Sequence, residues 1–81
     1  MLHIEIAYCM EWNYLKQAVG LQESLLAEFG AKIKDFVLVP SHGGCFEVTV
    51  DGRLIYSKLA TGRHAQPGEV MELVRKLQEI V

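Results

Sequence analysis

The first segment of the chain alternates hydrophobic and polar residues. One side consists of the large apolar residues Leu2, Ile4, Ile6 and Tyr8, and the other side carries His3, Glu5 and Ala7. A repeat of two residues is typical of a β-strand that buries one face. The pattern therefore predicts a first strand over residues 2–8.

From Trp12 to Phe29 the repeat becomes that of a helix. The apolar positions fall within about half of a helical wheel; they are Trp12, Tyr14, Leu15, Ala18, Val19, Leu21, Leu25, Leu26 and Phe29. Gly30 follows, at a place where glycine commonly ends a helix. We predict a helix over residues 12–29 that stops at Gly30.

The next segment predicts a second strand over Lys32 to Val39. Its apolar run Phe36-Val37-Leu38-Val39 indicates burial on both faces of the sheet. Pro40 cannot donate a backbone hydrogen bond, so we expect it to end this strand.

A hairpin and a second helix complete the chain. Cys45 to Val50 alternates again, and Asp51-Gly52 favours a type I′ turn because both central residues of that turn need positive φ. Arg53 to Lys58 is the returning strand, and residues 59–66 are predicted as a loop. Pro67 suits the first turn of a helix. The apolar stripe of this helix consists of Val70, Leu73, Val74, Leu77 and Val81.

The predicted order β-α-β-β-β-α indicates an α/β fold, organised as one domain over residues 1–81. A strand–helix–strand unit crosses over right-handed, so the first two strands should be parallel. The hairpin then makes the four-stranded sheet mixed. Two helices cover one face of such a sheet, and we expect the other face to be solvated or to bind a second copy.

Composition narrows the classes of function. With 81 residues and 51% hydrophobic residues, the chain is a small globular domain and not a disordered segment. Eight basic and ten acidic residues give a net charge of −2, which argues against a nucleic-acid partner. No apolar run reaches the roughly 20 residues of a membrane span, and no secretory signal pattern opens the chain. Two cysteines are too few for a disulfide framework, so we expect a cytoplasmic protein.

Cys9 is the first candidate for chemistry. The pattern places it where the first strand ends and the first helix begins. Unpaired N–H groups at a helix N-terminus stabilise a thiolate, which makes a cysteine reactive. A small buried hydrophobic residue would fit the same position. Position alone leaves both interpretations open.

Three segments match motifs that occur together in one family. Tyr8-Cys9-Met10-Glu11-Trp12-Asn13-Tyr14 has the form of a strand that runs into a Cys-x-x-Cys or Cys-x-x-selenocysteine motif. Residues 43–48 read Gly-Gly-Cys-Phe-Glu-Val, and residues 50–58 read Val-Asp-Gly-Arg-Leu-Ile-Tyr-Ser-Lys. Together with Gly62 and Val74-Arg75, these segments resemble the selenoprotein W/T/H family, the Rdx group of thioredoxin-like proteins. The resemblance covers essentially the whole chain and implies a thioredoxin-like fold with a role in thiol redox chemistry.

One departure from the family changes the expected chemistry. The second redox position of the motif is occupied by Trp12, whose indole cannot form a thiolate or a disulfide. Of the two redox residues only Cys9 carries over, so dithiol oxidoreductase activity is not expected. The segment Arg63-His64-Ala65-Gln66-Pro67 also replaces a family segment that usually includes Phe-Pro, and it lies beside the motif in thioredoxin-like folds.

Cys45 is a candidate partner for Cys9. The resemblance implies the sheet order 2-1-3-4, which brings the start of the third strand beside the end of the first. A disulfide needs Cα atoms within about 7 Å and converging Cβ vectors. We state a reversible Cys9–Cys45 pair as a hypothesis, against the alternative that Cys45 fills space near the loop.

Trp12 and the histidines have alternative interpretations. The Trp12 ring either packs over the first turn of the helix, near Tyr8 or Tyr14, or serves as an aromatic anchor for a partner. The three histidines are distributed over a strand face and two loops, without the short paired spacing of zinc ligands. We therefore predict no metal site.

Two functions remain open at this point. In the first, the Cys9 thiolate attacks a disulfide or accepts glutathione, an external thiol resolves the mixed disulfide, and Gly43 and Gly44 let the partner's backbone approach. Its partners are protein thiols, with glutathione as a thiol partner and no tightly bound cofactor. In the second, the protein is a non-catalytic interaction module that contacts a protein partner through Trp12 and the uncovered sheet face. That face also leaves a homodimer open.

Overall fold

The chain folds in the predicted order, with one additional short helix. A computed structural model describes residues 1–80; Val81, predicted as the last position of the apolar stripe, lies outside the described residues. The strands are β1 (Leu2–Cys9), β2 (Ile33–Ser41), β3 (Phe46–Val50) and β4 (Arg53–Ser57). The helices are α1 (Leu15–Phe29), α2 (Lys58–Thr61) and α3 (Glu69–Ile80).

The four strands form one mixed sheet in the order β2-β1-β3-β4. β1 and β2 are parallel, whereas β1 pairs with β3, and β3 with β4, in antiparallel fashion. The order implied by the resemblance and the predicted α/β class are therefore confirmed. In this arrangement β1 is central, and its carboxyl end lies beside the start of β3.

One face of the sheet carries the core. The register pairs Ile4 with Val50, Ile6 with Val48 and Tyr8 with Phe46, so these side chains share a face. Residues of α1 and α3 pack against them in one hydrophobic cluster that includes Ala18, Leu25, Phe29, Val70 and Val74. The apolar positions of β1 and β3 thus point toward both long helices, as the period of two predicted.

The hairpin between β3 and β4 has the predicted geometry. Asp51 and Gly52 have φ angles of 51° and 80°. Two successive residues with positive φ are what a type I′ turn requires, and Asn-Gly or Asp-Gly sequences supply them at low cost. Asp51 also accepts the backbone N–H of His3 at 2.8 Å, which ties the turn to the start of β1.

The first helix is shorter than predicted. Asn13 has a φ of 58°, so the chain passes through the left-handed region before α1 begins at Leu15. The prediction of a helix from Trp12 was therefore wrong. Gly30 does not end the helix in the left-handed region either, because its φ is −47° and the chain continues as one 3-10 turn over Gly30–Lys32.

The second strand differs from its prediction in two ways. Pro40 lies within β2 and pairs with Tyr8. Because β2 is an edge strand, the missing N–H of Pro40 costs no ladder hydrogen bond. The same edge position explains why the apolar run is not buried on both faces: Val37 is 38% exposed. The run indicated a central strand, and the sheet order places it at the edge.

Residues 59–66 are not entirely loop. α2 forms at Lys58–Thr61, where the Ser57 hydroxyl accepts the backbone N–H of Ala60 and Gly62 closes the helix in the left-handed region with a φ of 74°. Pro67 precedes the last helix instead of lying in its first turn, since α3 begins at Glu69. Within residues 1–80, no helix combines the length and apolar character needed to cross a membrane.

Candidate functional site

Cys9 is the last residue of the central strand, and its side chain is fully buried. Its exposed fraction is 0%. Its backbone N–H donates to the carbonyl of Cys45 at 3.0 Å, and its carbonyl accepts the N–H of Tyr14 at 3.1 Å. The sequence predicted that Cys9 borders the helix N-terminus, but residues 10–14 intervene before α1 starts.

A turn of residues 10–14 joins Cys9 to α1 and forms the outer wall of the site. Met10 donates its N–H to the carbonyl of Ser41 at 3.0 Å, and Asn13 donates to the carbonyl of Met10 at 3.2 Å. The Glu11 carboxylate contacts His42 Nδ1 at 3.2 Å. Few contacts hold this turn, and the side chains of residues 10–13 are all exposed. The turn therefore lies directly between the buried Cys9 and α1, with the side chains of residues 10–13 exposed to solvent.

Cys45 lies opposite Cys9 at the end of the β1–β3 ladder. The register pairs Tyr8 with Phe46, and the Cys9–Cys45 hydrogen bond extends it by one residue. Cys45 is 4% exposed, and both cysteines are free thiols. The structure thus brings together the backbones of two cysteines that are 36 positions apart in the sequence.

Trp12 projects from the turn and is 64% exposed. One edge of its indole lies 3.7 Å from the position that a Cβ of Gly44 would take, and its ring meets Tyr14 edge-on with centroids 6.2 Å apart. The Lys58 ammonium is 5.8 Å from the indole centroid. One edge of the ring packs on Gly44 and Tyr14, which agrees with the packing interpretation. The remainder faces solvent, where an aromatic anchor for a partner would have to lie.

The two glycines before Cys45 have different surroundings. Gly43 and Gly44 have φ angles of 76° and 72°, which favour glycine over other residues at both positions. Gly43 is exposed, and a Cβ there would meet no atom within 4 Å. Gly44 is buried under the Trp12 ring. Of the two candidate binding glycines, Gly43 is the one that is open to an approaching backbone.

An aromatic and cationic cluster surrounds Tyr14, and sequence reasoning did not find it. The Tyr14 ring meets the His64 ring edge-on at a centroid distance of 4.6 Å, and the Lys58 ammonium lies 5.6 Å from the Tyr14 centroid. Cations are attracted to the negative face of aromatic rings. Lys58 thus joins Trp12 and Tyr14 into one surface, which we call the Trp12 cluster (Trp12, Tyr14, Lys58 and His64).

Glu47 positions Lys58 in this cluster. Its carboxylate accepts the backbone N–H of Lys58 at 2.9 Å and of Leu59 at 3.4 Å, and it also accepts the Ser57 hydroxyl. A carboxylate at a helix N-terminus satisfies unpaired N–H groups and complements the helix dipole. The sequence signal was the Glu47 side chain on the sheet face opposite Phe46, but α2 itself was predicted as loop.

The segment before α3 is fixed beside the motif by an ion pair. Arg63 makes two hydrogen bonds to the Glu69 carboxylate, at 2.8 and 2.9 Å, and Glu69 also accepts the backbone N–H of Gln66 at 2.8 Å. The hydrogen bonds from the Arg63 guanidinium lower the pKa of Glu69 to about 2. The segment carries His64 to Tyr14, so it lies beside the motif as the thioredoxin-like resemblance implied.

An apolar groove of about 490 Å³ lies on the other side of His64, between α1 and the start of α3. Its lining includes Leu21, Phe46, His64, Pro67 and Met71. The side chains of Cys9 and Cys45 do not line it. The groove is therefore a surface next to the site, separate from the thiols.

The histidines lie apart from one another. His3 contacts Asp35 at 2.5 Å on the sheet face away from the core, His42 contacts Glu11, and His64 contacts Tyr14. Across residues 1–80, no group of three or more His, Cys, Asp or Glu side chains is arranged to hold a metal ion. Each histidine has a local partner that accounts for its position.

Comparison with known proteins identifies the family. The sequence profile of the Rdx family matches residues 3–76, which is nearly the whole chain. The chain belongs to the Rdx family. No curated protein sequence matches it.

Two solved structures agree with the Rdx assignment. A selenoprotein W-related protein from Vibrio cholerae is 30% identical, with a TM-score of 0.87, over 94% of this chain and 95% of that one. A protein from Bordetella parapertussis is 28% identical, with a TM-score of 0.86, over 93% of this chain and 95% of that one. The predicted selenoprotein W/Rdx membership and the thioredoxin-like fold are thereby confirmed. At the level of the family, the assignment supports a role in redox chemistry.

Proposed function

We propose that this Rdx protein exchanges thiols and disulfides through a single thiol, Cys9. The observation that carries the proposal is the position of Cys9 at the carboxyl end of the central strand, at the first redox position of the family motif. Trp12 occupies the second position and supplies no sulfur. Cys9 would therefore carry out the exchange without a second redox residue in the motif.

The chemical step is an exchange without net oxidation of the protein. The Cys9 thiolate attacks one sulfur of a disulfide, forms a mixed disulfide and releases the other sulfur as a thiolate. A second thiol, such as glutathione, then attacks the mixed disulfide, leaves as part of a new disulfide and restores Cys9. In each cycle one external thiol enters, one thiol leaves and one disulfide replaces another, so neither the protein nor the sulfur pool is oxidised overall. The cycle consumes a free thiol, so a reducing compartment such as the cytoplasm suits it.

The turn of residues 10–14 must open before Cys9 can react, because the thiol has no exposed surface. Opening requires loss of the Met10–Ser41, Asn13–Met10 and Tyr14–Cys9 hydrogen bonds. It also removes the Trp12 packing on Gly44 and the exposed Glu11–His42 contact. Exposed contacts of this kind contribute little to stability. We therefore propose that the turn opens locally while the sheet and helices stay folded.

Gly43 is the proposed contact for the incoming backbone of glutathione or a peptide. It lies two residues before Cys45, and a Cβ there would have open space around it. Trp12 covers Gly44 in the closed turn, so movement of the turn would uncover Gly44 and Cys9 beside the already exposed Gly43. Partner binding and access to the thiol are thus coupled in this proposal.

The test is reaction of the Cys45→Ser variant with glutathione disulfide, followed by intact-mass and peptide mapping. The proposal predicts one glutathione on Cys9, removed by added glutathione. The Cys9→Ser variant is the matched control, because it keeps the second cysteine and loses the proposed site. If the folded Cys45→Ser protein gains no glutathione while its urea-unfolded form does, Cys9 is a structural residue and the proposal fails.

A second function is favoured by the contrast between the two motif residues. The thiol of Cys9 is 0% exposed, whereas the Trp12 ring is 64% exposed and lies next to the Lys58 ammonium. Tryptophan is enriched among residues that anchor protein interfaces. We propose as the alternative that the Trp12 cluster binds a protein partner without redox chemistry.

A photo-reactive phenylalanine analogue placed at position 12 tests this alternative. The same probe at Leu54, which is 55% exposed on an edge strand, is the control for nonspecific contact. The interaction function predicts a defined cross-linked partner from position 12 and not from position 54, unchanged by Cys9→Ser. Equal cross-linking from both positions would remove this candidate.

A further inference from the structure

We infer that Cys9 and Cys45 form a reversible cross-strand disulfide, with Cys45 acting as the resolving thiol that the motif lacks. This inference rests on the proposed reactivity of Cys9 and assigns a second residue to the same site. In this inference the second redox residue is Cys45, at the start of the neighbouring strand, and not the residue at position 12 of the turn.

The backbone geometry brings the two residues within disulfide range. Cys9 donates its N–H to the Cys45 carbonyl at 3.0 Å, one residue beyond the Tyr8–Phe46 pair of the ladder. Directly opposed residues of an antiparallel ladder have Cα atoms about 5.5 Å apart at hydrogen-bonded positions. Disulfides span Cα separations of about 4.4–6.8 Å, so the Cα spacing expected at this position lies within the range of a disulfide.

The two side chains also share a face of the ladder. Successive residues of a strand alternate between faces, and directly opposed residues point to the same one. Cys9 and Cys45 therefore follow the face of Ala7 and Glu47, the preceding pair in the register. Both side chains are buried at this end of the ladder, with exposed fractions of 0% for Cys9 and 4% for Cys45.

The end of the ladder has freedom to adjust to a disulfide. A complete hydrogen-bonded pair exchanges two N–H···O bonds. Here the Cys9 carbonyl accepts from Tyr14 instead, so Cys9 and Cys45 are joined on one side only. Cys45 also follows Gly43 and Gly44, whose positive φ angles place the preceding backbone in a turn outside the ladder. Small rotations at this end can align the two sulfur atoms.

The step balances with a disulfide substrate as the oxidant. Cys9 first forms a mixed disulfide with one half of glutathione disulfide and releases one glutathione thiolate. The Cys45 thiolate then attacks the Cys9 sulfur, forms the Cys9–Cys45 disulfide and releases the second glutathione. Two protein thiols are oxidised, one disulfide is reduced to two thiols, and two external thiols reverse the reaction.

A glutathione titration with acid quenching distinguishes this pair from a single reactive thiol. The ratio of oxidised to reduced wild-type protein is measured by intact mass at a fixed ratio of glutathione disulfide to glutathione. Oxidation of a pair releases two glutathione molecules, so diluting the buffer tenfold at that ratio raises the protein ratio about tenfold. A mixed disulfide releases one glutathione, so its level does not change on dilution.

The inference predicts a wild-type product that has lost two hydrogen atoms, with the Cys9 and Cys45 peptides linked, and the dilution dependence above. The Cys45→Ser variant should stop at the glutathione adduct on Cys9. If the wild-type protein carries that adduct with no dilution dependence, the pair is overturned and the single-thiol function stands. A disulfide between two chains also overturns it. Absence of any product in both proteins overturns both proposals.

Discussion

Replacing Glu47 by Ala removes the carboxylate that organises the start of α2. Glu47 accepts hydrogen bonds from the Ser57 hydroxyl, from the Lys58 N–H at 2.9 Å and from the Leu59 N–H at 3.4 Å. Ser57 is 9% exposed, so little water can replace the lost acceptor. We expect the variant to lose both stability and the placement of Lys58 beside Trp12.

The size of the effect follows from the number of groups left without a partner. A hydrogen bond to a charged group contributes about 1.5–3 kcal/mol, and loss of a helix cap costs about 1 kcal/mol. The 3.4 Å contact is too long to count fully. We therefore expect the free energy of unfolding to fall by about 2–3 kcal/mol, which lowers Tm by about 10–20 °C in a domain of this size.

Urea unfolding of Glu47→Ala, Glu47→Gln and Glu5→Ala measures this contribution. Glu5 is a half-buried carboxylate on the same sheet face, and among the described residues its side chain has no hydrogen bond or ion pair. The amide of Glu47→Gln keeps an acceptor and should recover part of the loss. If Glu47→Ala is no less stable than Glu5→Ala, the Glu47 carboxylate does not hold α2 and the reasoning is wrong.

Three further predictions follow from single features of the structure. Because the Glu69 pKa is depressed to about 2 by Arg63, their ion pair stabilises the fold above the ordinary value of 4.5, and that contribution is lost as pH falls toward 2; Glu69→Gln should flatten this part of a Tm-against-pH curve. Asn13 has a φ of 58°, so Asn13→Val should cost about 1–2 kcal/mol in urea unfolding while Asn13→Gly costs little. In a Cys45→Ser background, Trp12→Cys should restore reduction of a disulfide such as insulin, measured by turbidity; an inert double variant would show that the site has diverged beyond this residue.

The sheet was predictable because its signals are local and mutually consistent. The alternation from Leu2 to Tyr8 identified the central strand and its buried face, and Asp51-Gly52 identified the hairpin through its positive φ angles. The strand order came from the family resemblance, and it alone brought Cys45 to Cys9. Pairing between distant segments has no local signal in one sequence.

The errors occurred where tertiary contacts override local preference. The apolar run around Val37 predicts a strand buried on both faces, yet its burial depends on the position of β2 at the sheet edge. The short helix α2 depends on Glu47, which precedes Lys58 by 11 residues. The sequence of residues 58–61 alone therefore does not predict a helix. The Trp12 cluster was missed for the same reason, because α2 supplies its cation.

The exposure of Cys9 in solution tests the central claim most directly. We would compare alkylation rates of the Cys45→Ser variant in native buffer and in urea at the same pH. With a stability of about 5 kcal/mol, labelling that requires global unfolding is slower than in the unfolded chain by about 10³–10⁴-fold. Local opening of residues 10–14 predicts a native rate within about 100-fold of the unfolded rate. A native rate that equals the global unfolding limit, and changes in step with stability across variants, would contradict a redox role for Cys9.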